Sequence, residues 1–119
     1  MNLWYILLQA KFKPMLPYCV YILFSERDSL LYIGFSSNLE ERIKNHLAGK
    51  TKSTSYRLPL KLIFAEYYLF KEDALKREGY FKTTAGKKAI RLMLTNTLEK
   101  LGYKIKYENL GIVNIDEKD

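Results

Sequence analysis

Arg42 and His46 stand four residues apart in LEERIKNHL, a stretch in which Leu39, Ile43 and Leu47 mark an apolar stripe at helical spacing. Side chains four apart on a helix lie over one another. A guanidinium and an imidazole therefore share the face that should meet a sheet, and that pair suits a phosphate. Glu78 repeats the anomaly. It falls four residues after Ala74, three after Leu75 and three before Phe81, which places a carboxylate in a second apolar stripe. A buried carboxylate is costly unless it is paired, so Glu78 calls for a cationic neighbour such as Arg42 or for a bound cation. The plainer alternatives stay open at this level. Arg42 and His46 could flank their stripe and reach solvent, and Glu78 could be an exposed residue salt-bridged to Arg77 or Lys82.

Two tyrosines complete the set. CVYILFSERDSLLYIGF carries Tyr21 and Tyr32 in two apolar runs separated by the polar loop SERDS. A tyrosine in a strand commonly fills a core and keeps its hydroxyl near a polar partner. It can also move a proton if a metal or a cation lowers its pKa from about 10. One carboxylate suffices for a single hydrated Mg²⁺ that also takes substrate phosphate, and an arginine can neutralise charge that grows at a phosphoryl transition state. Tyr, Arg, His and Glu together form a coherent set for phosphodiester hydrolysis.

The elements that must position these residues follow from pattern. Tyr18 to Phe24 is a nearly continuous apolar run, read as a strand buried on both faces. Leu30 to Phe35 is a second strand, and the two form a hairpin with a five-residue loop. Gly34 late in that strand marks a close backbone approach. Ser37-x-x-Glu40 and Asn38-x-x-Glu41 both qualify as capping boxes for a helix over 39–48, closed by Gly49. KTKSTSYR, residues 50–57, is a polar, basic loop. Leu60 to Tyr68 is a third strand with Leu60, Leu62 and Phe64 on one face. Helices follow over 71–82 and 87–101, broken by 83–86 and closed by Gly102. The expected fold class is α+β, a small three-stranded antiparallel sheet flanked by about three helices. The expected organisation is an apolar extension over 1–16 (Trp4, Tyr5 and Ile6 among it), a catalytic unit over 17–102 and a tail over 103–119 that adds a small hairpin around Glu108 to Gly111 or stays mobile.

Composition narrows the partner. Twenty Lys and Arg against thirteen Asp and Glu give a net charge of +7 over 119 residues, with a pI near 9.4. Such a surplus points to nucleic acid before an anionic membrane. A single cysteine, Cys19, forbids an internal disulfide and fits a cytoplasmic home. One Cys and one His exclude a zinc cluster built from those residues. No run approaches the roughly 18 apolar residues of a membrane span, so no membrane partner is expected. Lys50, Lys52, Arg57, Lys82, Lys87 and Lys88 are candidates for contacts to a nucleic-acid backbone, which position without reading sequence.

These residues resemble a known family. Cys19-Val20-Tyr21 followed by Tyr32-Ile33-Gly34 is similar to the two motifs that name the GIY-YIG nuclease superfamily. YIGFSSNLEERIKNH resembles its second motif running into the first helix. GKTKSTSYRLPLKLIFAE and KEDALKREGYFKTTAGKKAI resemble later segments of small stand-alone members, and the chain also looks like the N-terminal nuclease domain of the family's excision-repair endonucleases. The ordered series Tyr, Tyr-x-Gly, Arg, His, Glu is specific where a lone YIG would be weak. The resemblance implies that Tyr21 and Tyr32 line one site, one of them acting as general base or holder of the attacking water. It implies that Arg42 contacts the scissile phosphate, that His46 assists, that Glu78 is the single ligand of Mg²⁺ or Mn²⁺, and that Gly34 permits close packing. Two positions depart from the pattern: Cys19 replaces the name-giving glycine, and Phe35 stands where repair nucleases of the family carry a lysine. Asn96 is the nearby candidate for a late asparagine found in some members, and its spacing does not secure the match. The expected function is a metal-dependent endonuclease acting on DNA, RNA not being excluded, with low sequence specificity, a structure preference and a place in repair or recombination by analogy. A non-catalytic nucleic-acid-binding module and a protein-interaction domain using the apolar N-terminal extension are the rival readings.

Overall fold

A computed structural model of the chain describes Leu3, residues 15–103 and the backbone of residues 112–118. The expected extension (1–16, with Trp4, Tyr5 and Ile6) and the expected hairpin at Glu108 to Gly111 therefore lie largely outside the described residues.

The first two apolar runs pair as an antiparallel hairpin, β1 (Tyr18–Ser25) with β2 (Leu31–Ser36), in a register that sets Cys19 opposite Ser36 and Tyr21 opposite Gly34. All of β2 and all of β1 after Tyr18 are buried, as a run without polar alternation requires. The turn closes through Asp28, whose Oδ1 accepts from the Leu30 amide at 2.9 Å, with Ser29 at φ 58°. After a helix, α1 (Leu39–Leu47), the chain returns as β3 (Leu60–Tyr68), antiparallel on the other side of β1. Residues 112–118 supply β4 (Ile112–Lys118), a fourth strand that runs parallel to β2, so the order is β3-β1-β2-β4. The three antiparallel strands are those read from the sequence. The fourth comes from the tail, whose alternation is too short to announce a strand.

Successive strand residues point to opposite faces, and the two faces carry separate clusters. Cys19, Tyr21, Leu23, Tyr32 and Leu60 pack with Leu39 and Ile43 of α1. Val20, Ile22, Phe24, Ile33 and Phe35 pack with Ala74 and Phe81 of α2 (Lys71–Phe81). One expectation fails on β3. Phe64 pairs with Ile22 and Leu62 with Leu23, leaving Ile63 as an inserted residue. A bulge of this kind shifts the alternation. Leu60 consequently joins the Tyr21 cluster, Phe64 meets Phe81 edge-on at 5.9 Å on the other face, and Leu62 is exposed.

Asn38, rather than Ser37, caps α1, accepting from the Glu41 amide at 3.2 Å. The helix expected over 87–101 is two, α3 (Thr84–Met93) and α4 (Thr95–Lys100). Thr83 caps α3 by accepting from the Gly86 amide at 3.0 Å, which starts it earlier. The break falls at Leu94 (φ −114°, ψ 27°), where the Thr95 hydroxyl donates to the Arg91 and Leu92 carbonyls at 3.0 Å. A threonine that returns to the preceding turn competes with helix continuation. Among the described residues no helix is long and apolar enough to cross a membrane.

The corner between α2 and α3 depends on Gly86, because a Cβ there would overlap the Tyr80 carbonyl. Alanine is the better helix former by about 1 kcal/mol, so the two effects have opposite signs. We expect the clash to win, with Gly86→Ala lowering stability by roughly 2 kcal/mol in chemical denaturation; a stabilised variant would mean the corner opens freely.

Candidate active site

The site begins with a packing requirement. Tyr21 is fully buried between the sheet and α1, and its ring lies over Gly34 on the neighbouring strand. A Cβ at position 34 would overlap the ring and its hydroxyl. Burying a phenol leaves its hydroxyl in need of partners, and α1 supplies them. His46 Nε2 lies 2.9 Å from the Tyr21 hydroxyl, and Arg42 donates from Nε to the same oxygen at 3.3 Å. The i, i+4 spacing thus brings both side chains to one atom, with the inner face of α1 running through Leu39, Ile43 and His46. Leu47, assigned to the stripe from its spacing, is exposed. His46 is fully buried, edge-on to Tyr21, and its Nδ1 lies 2.7 Å from the hydroxyl of Thr54, which is also fully buried. The sequence reading missed Thr54. Its only signal was a hydroxyl inside a basic loop, which reads as solvated.

Tyr32 shares this face of the sheet, but its hydroxyl turns elsewhere. It donates to Asp28 Oδ2 at 2.6 Å, and Arg57 Nε approaches the same oxygen at 3.1 Å. Burial, reinforced by the Asp28 carboxylate, pushes the Tyr32 phenol well above its ordinary range despite the opposing pull of Arg57. Asp28 was also missed, being read as part of a plain turn. The Ser25 hydroxyl donates to the Arg57 carbonyl at 2.6 Å, so the hairpin and the basic loop are tied together twice.

Glu78 is buried, as its place in the stripe predicted, on α2, the helix whose Ala74 and Phe81 join the Val20 cluster. Lys82 Nζ lies 3.6 Å from Oε2. Of the two partners that the plain alternative offered, Lys82 is the one found, while Arg77 turns to Glu66, with Nε 2.8 Å from Oε1, and lies 4.4 Å over the Phe81 ring. Tyr68 also donates to Glu66; burial first, then that carboxylate, push its phenol up to about 12. Phe35 lies in the core, stacked on Tyr18, and Asn96 is exposed on α4.

Among the described residues no three His, Cys, Asp or Glu side chains gather as a metal cluster. The donor chemistry that remains is one buried carboxylate with a lysine at its edge. That fits a hydrated Mg²⁺ or Mn²⁺, which needs one or two protein carboxylates and fills its shell from water and phosphate, provided Lys82 turns away. Of the basic candidates, Lys50, Lys52 and Lys88 are exposed, Lys87 is half-buried, and Arg57 and Lys82 are engaged with Asp28 and Glu78.

A tyrosine whose pKa is raised on folding holds its proton in the native state at pH values where the unfolded chain has lost it. Stability is then intact below about pH 10 and falls as pH rises further. Tyr32→Phe should flatten that alkaline loss in thermal melts between about pH 9 and 11, and an unchanged slope would show that Asp28 does not hold the phenol protonated.

A family model described as the GIY-YIG catalytic domain matches residues 17–91, which include every residue of the site. A UPF0213 protein of Bacillus licheniformis is 39% identical over 79 residues, covering 66% of this chain and 81% of its own. A UPF0213 protein of Clostridium perfringens is 36% identical over 86 residues, covering 71% and 91%. The UPF0213 protein YazA of Bacillus subtilis is 41% identical over 63 residues, covering 52% and 64%. No solved structure matches the chain significantly. A buried tyrosine bonded to an arginine and a histidine from one helix turn, with the family model spanning all of them, leads to one assignment: the chain belongs to the GIY-YIG catalytic domain family, a family of nucleases.

Proposed function

We propose that this protein is a metal-dependent endonuclease that hydrolyses DNA phosphodiester bonds with little sequence preference, selects its substrate by structure, and serves DNA repair or recombination. The observation that carries the reading is the convergence of Arg42 and His46 on the Tyr21 hydroxyl. A phenolic oxygen that accepts from a guanidinium and lies beside an imidazole nitrogen is equipped to pass a proton inward. In the proposed step a water attacks phosphorus while its proton moves to the Tyr21 oxygen and the Tyr21 proton moves to His46 Nε2. The bond from phosphorus to the 3′-oxygen breaks, and that oxygen takes a proton from solvent. The products are a 5′-phosphate and a 3′-hydroxyl.

Tyr21 and His46 are fully buried, and Arg42 is the part-exposed member of the trio. In this reading the guanidinium turns outward onto the substrate phosphate, stabilises its growing charge and uncovers the phenol to water. Tyr32, held by Asp28, keeps its proton and positions the hairpin. Glu78 would hold a Mg²⁺ or Mn²⁺ ion, which supplies charge neutralisation at the phosphate when bound. Exposed Lys50, Lys52 and Lys88, with half-buried Lys87, would contact the backbone of bound DNA without reading bases; Arg57 and Lys82 join them only by leaving their carboxylates.

The test is nicking of supercoiled plasmid and cleavage of labelled branched DNA, with an RNA arm, in Mg²⁺ and in EDTA. Wild type should cut only with metal. Tyr21→Phe should lower the rate by about 10²- to 10⁴-fold, the usual worth of a positioned acid–base group, and Glu78→Ala should abolish metal-dependent cutting. Binding of DNA with no cleavage of any substrate by wild type would leave a binding module as the function.

A further inference from the structure

The Tyr21–His46 contact works as a proton path only if the imidazole presents a bare nitrogen to the phenol. Two ring nitrogens are distinct, and which one carries the proton is set by the partner of the other. Arg42 Nε can only donate, so the Tyr21 oxygen is an acceptor toward it at 3.3 Å. His46 Nε2 lies 2.9 Å from the same oxygen, within reach of the Tyr21 hydroxyl hydrogen. With the Tyr21 hydrogen on that line Nε2 accepts and the ring proton sits on Nδ1, which lies 2.7 Å from Thr54 Oγ1. Thr54 is no surface hydroxyl. It is fully buried, eight residues beyond His46, within a loop whose backbone is pinned by Thr54 N to Thr51 O at 3.1 Å and Arg57 N to Thr54 O at 2.9 Å.

We infer that Thr54 is a positioning residue of the site: its hydroxyl accepts from Nδ1–H of His46 and holds the imidazole in the one tautomer that can take the Tyr21 proton at Nε2. The catalytic consequence rests on the nuclease reading above, whereas the tautomer is a property of the protein alone. After the proton reaches Nε2 the ring is an imidazolium, and the same Thr54 oxygen still accepts from Nδ1–H. The oxygen that orients the base therefore also stabilises its charged form, without any rearrangement.

His46 is the one histidine in the chain, so its ring nitrogens can be observed in the ¹⁵N-labelled protein without ambiguity. Wild type should show a protonated Nδ1 and a bare Nε2. Thr54→Val keeps the branched shape and removes the acceptor; it should give a mixture of tautomers and a cleavage rate lower by about 10- to 100-fold, as loss of an orienting partner typically does. Thr54→Ser keeps the hydroxyl and should restore both the single tautomer and most of the rate. A protonated Nε2 in wild type, or a Thr54→Val protein that keeps the Nδ1–H tautomer, overturns the inference. If wild type cuts nothing, the nuclease reading falls and the ring spectra of wild type and Thr54→Ser still decide the role of Thr54. Should Thr54→Val not fold, the same spectra in Thr54→Ala serve in its place.

Discussion

One hydroxyl in a dry place organises half of this molecule. The strand β1 has to be apolar on both faces because helices cover both, yet residue 21 is a tyrosine. Leaving its hydroxyl unmet would cost about 1–3 kcal/mol. The helix above it answers with two side chains one turn apart, Arg42 and His46. Burying the histidine creates a second unmet nitrogen, and the loop after the helix answers with Thr54. The strand beside Tyr21 must yield space, and Gly34 does so. Each buried polar group thus dictates the next, from sheet to helix to loop.

A parallel chain starts at the neighbouring tyrosine and ends in the same loop. Tyr32 donates to Asp28, Asp28 meets Arg57, and the Arg57 carbonyl accepts from Ser25. Residues 50–57 read as a polar, basic loop in the sequence. In the fold they are the segment where two networks terminate, a buried one at Thr54 and a part-buried one at Arg57. That gives exposed Lys50 and Lys52 a mount fixed relative to the site. Charge alone attracts a nucleic-acid backbone, but a fixed mount is what would let the charge orient it.

The parts legible in the sequence are those set by local periodicity. The two strands of the hairpin, β3, α1 and α2 all lie within about a residue of their expected ends, because apolar runs, caps and helical stripes are written in consecutive residues. The polar intrusions at 42, 46 and 78 were legible for the same reason. What was not legible depends on pairing between distant segments. The bulge at Ile63 follows from how β3 must match β1 across the sheet, and it scattered Leu60, Leu62 and Phe64, which share a face by count alone. The strand β4 exists because β2 offers an edge, not because residues 112–118 alternate strongly. The break at Leu94 comes from one threonine hydroxyl choosing carbonyls behind it. Thr54 and Asp28 were invisible as site residues because their meaning lies in the atom each one meets.

The two tyrosines show why residue type and position do not settle a chemical role. Both occupy adjacent strands, face the same side and are buried. A carboxylate at the hydroxyl makes loss of the proton unfavourable, since a second negative charge would form beside the first. A guanidinium and an imidazole at the hydroxyl are a different surrounding: one places positive charge beside the oxygen, the other places a ring nitrogen within hydrogen-bond reach of it. Tyr32 has the first surrounding and Tyr21 the second. If proton transfer runs through either phenol, these surroundings assign it to Tyr21 and leave Tyr32 as the fixed point against which the hairpin, the loop and the site keep their register.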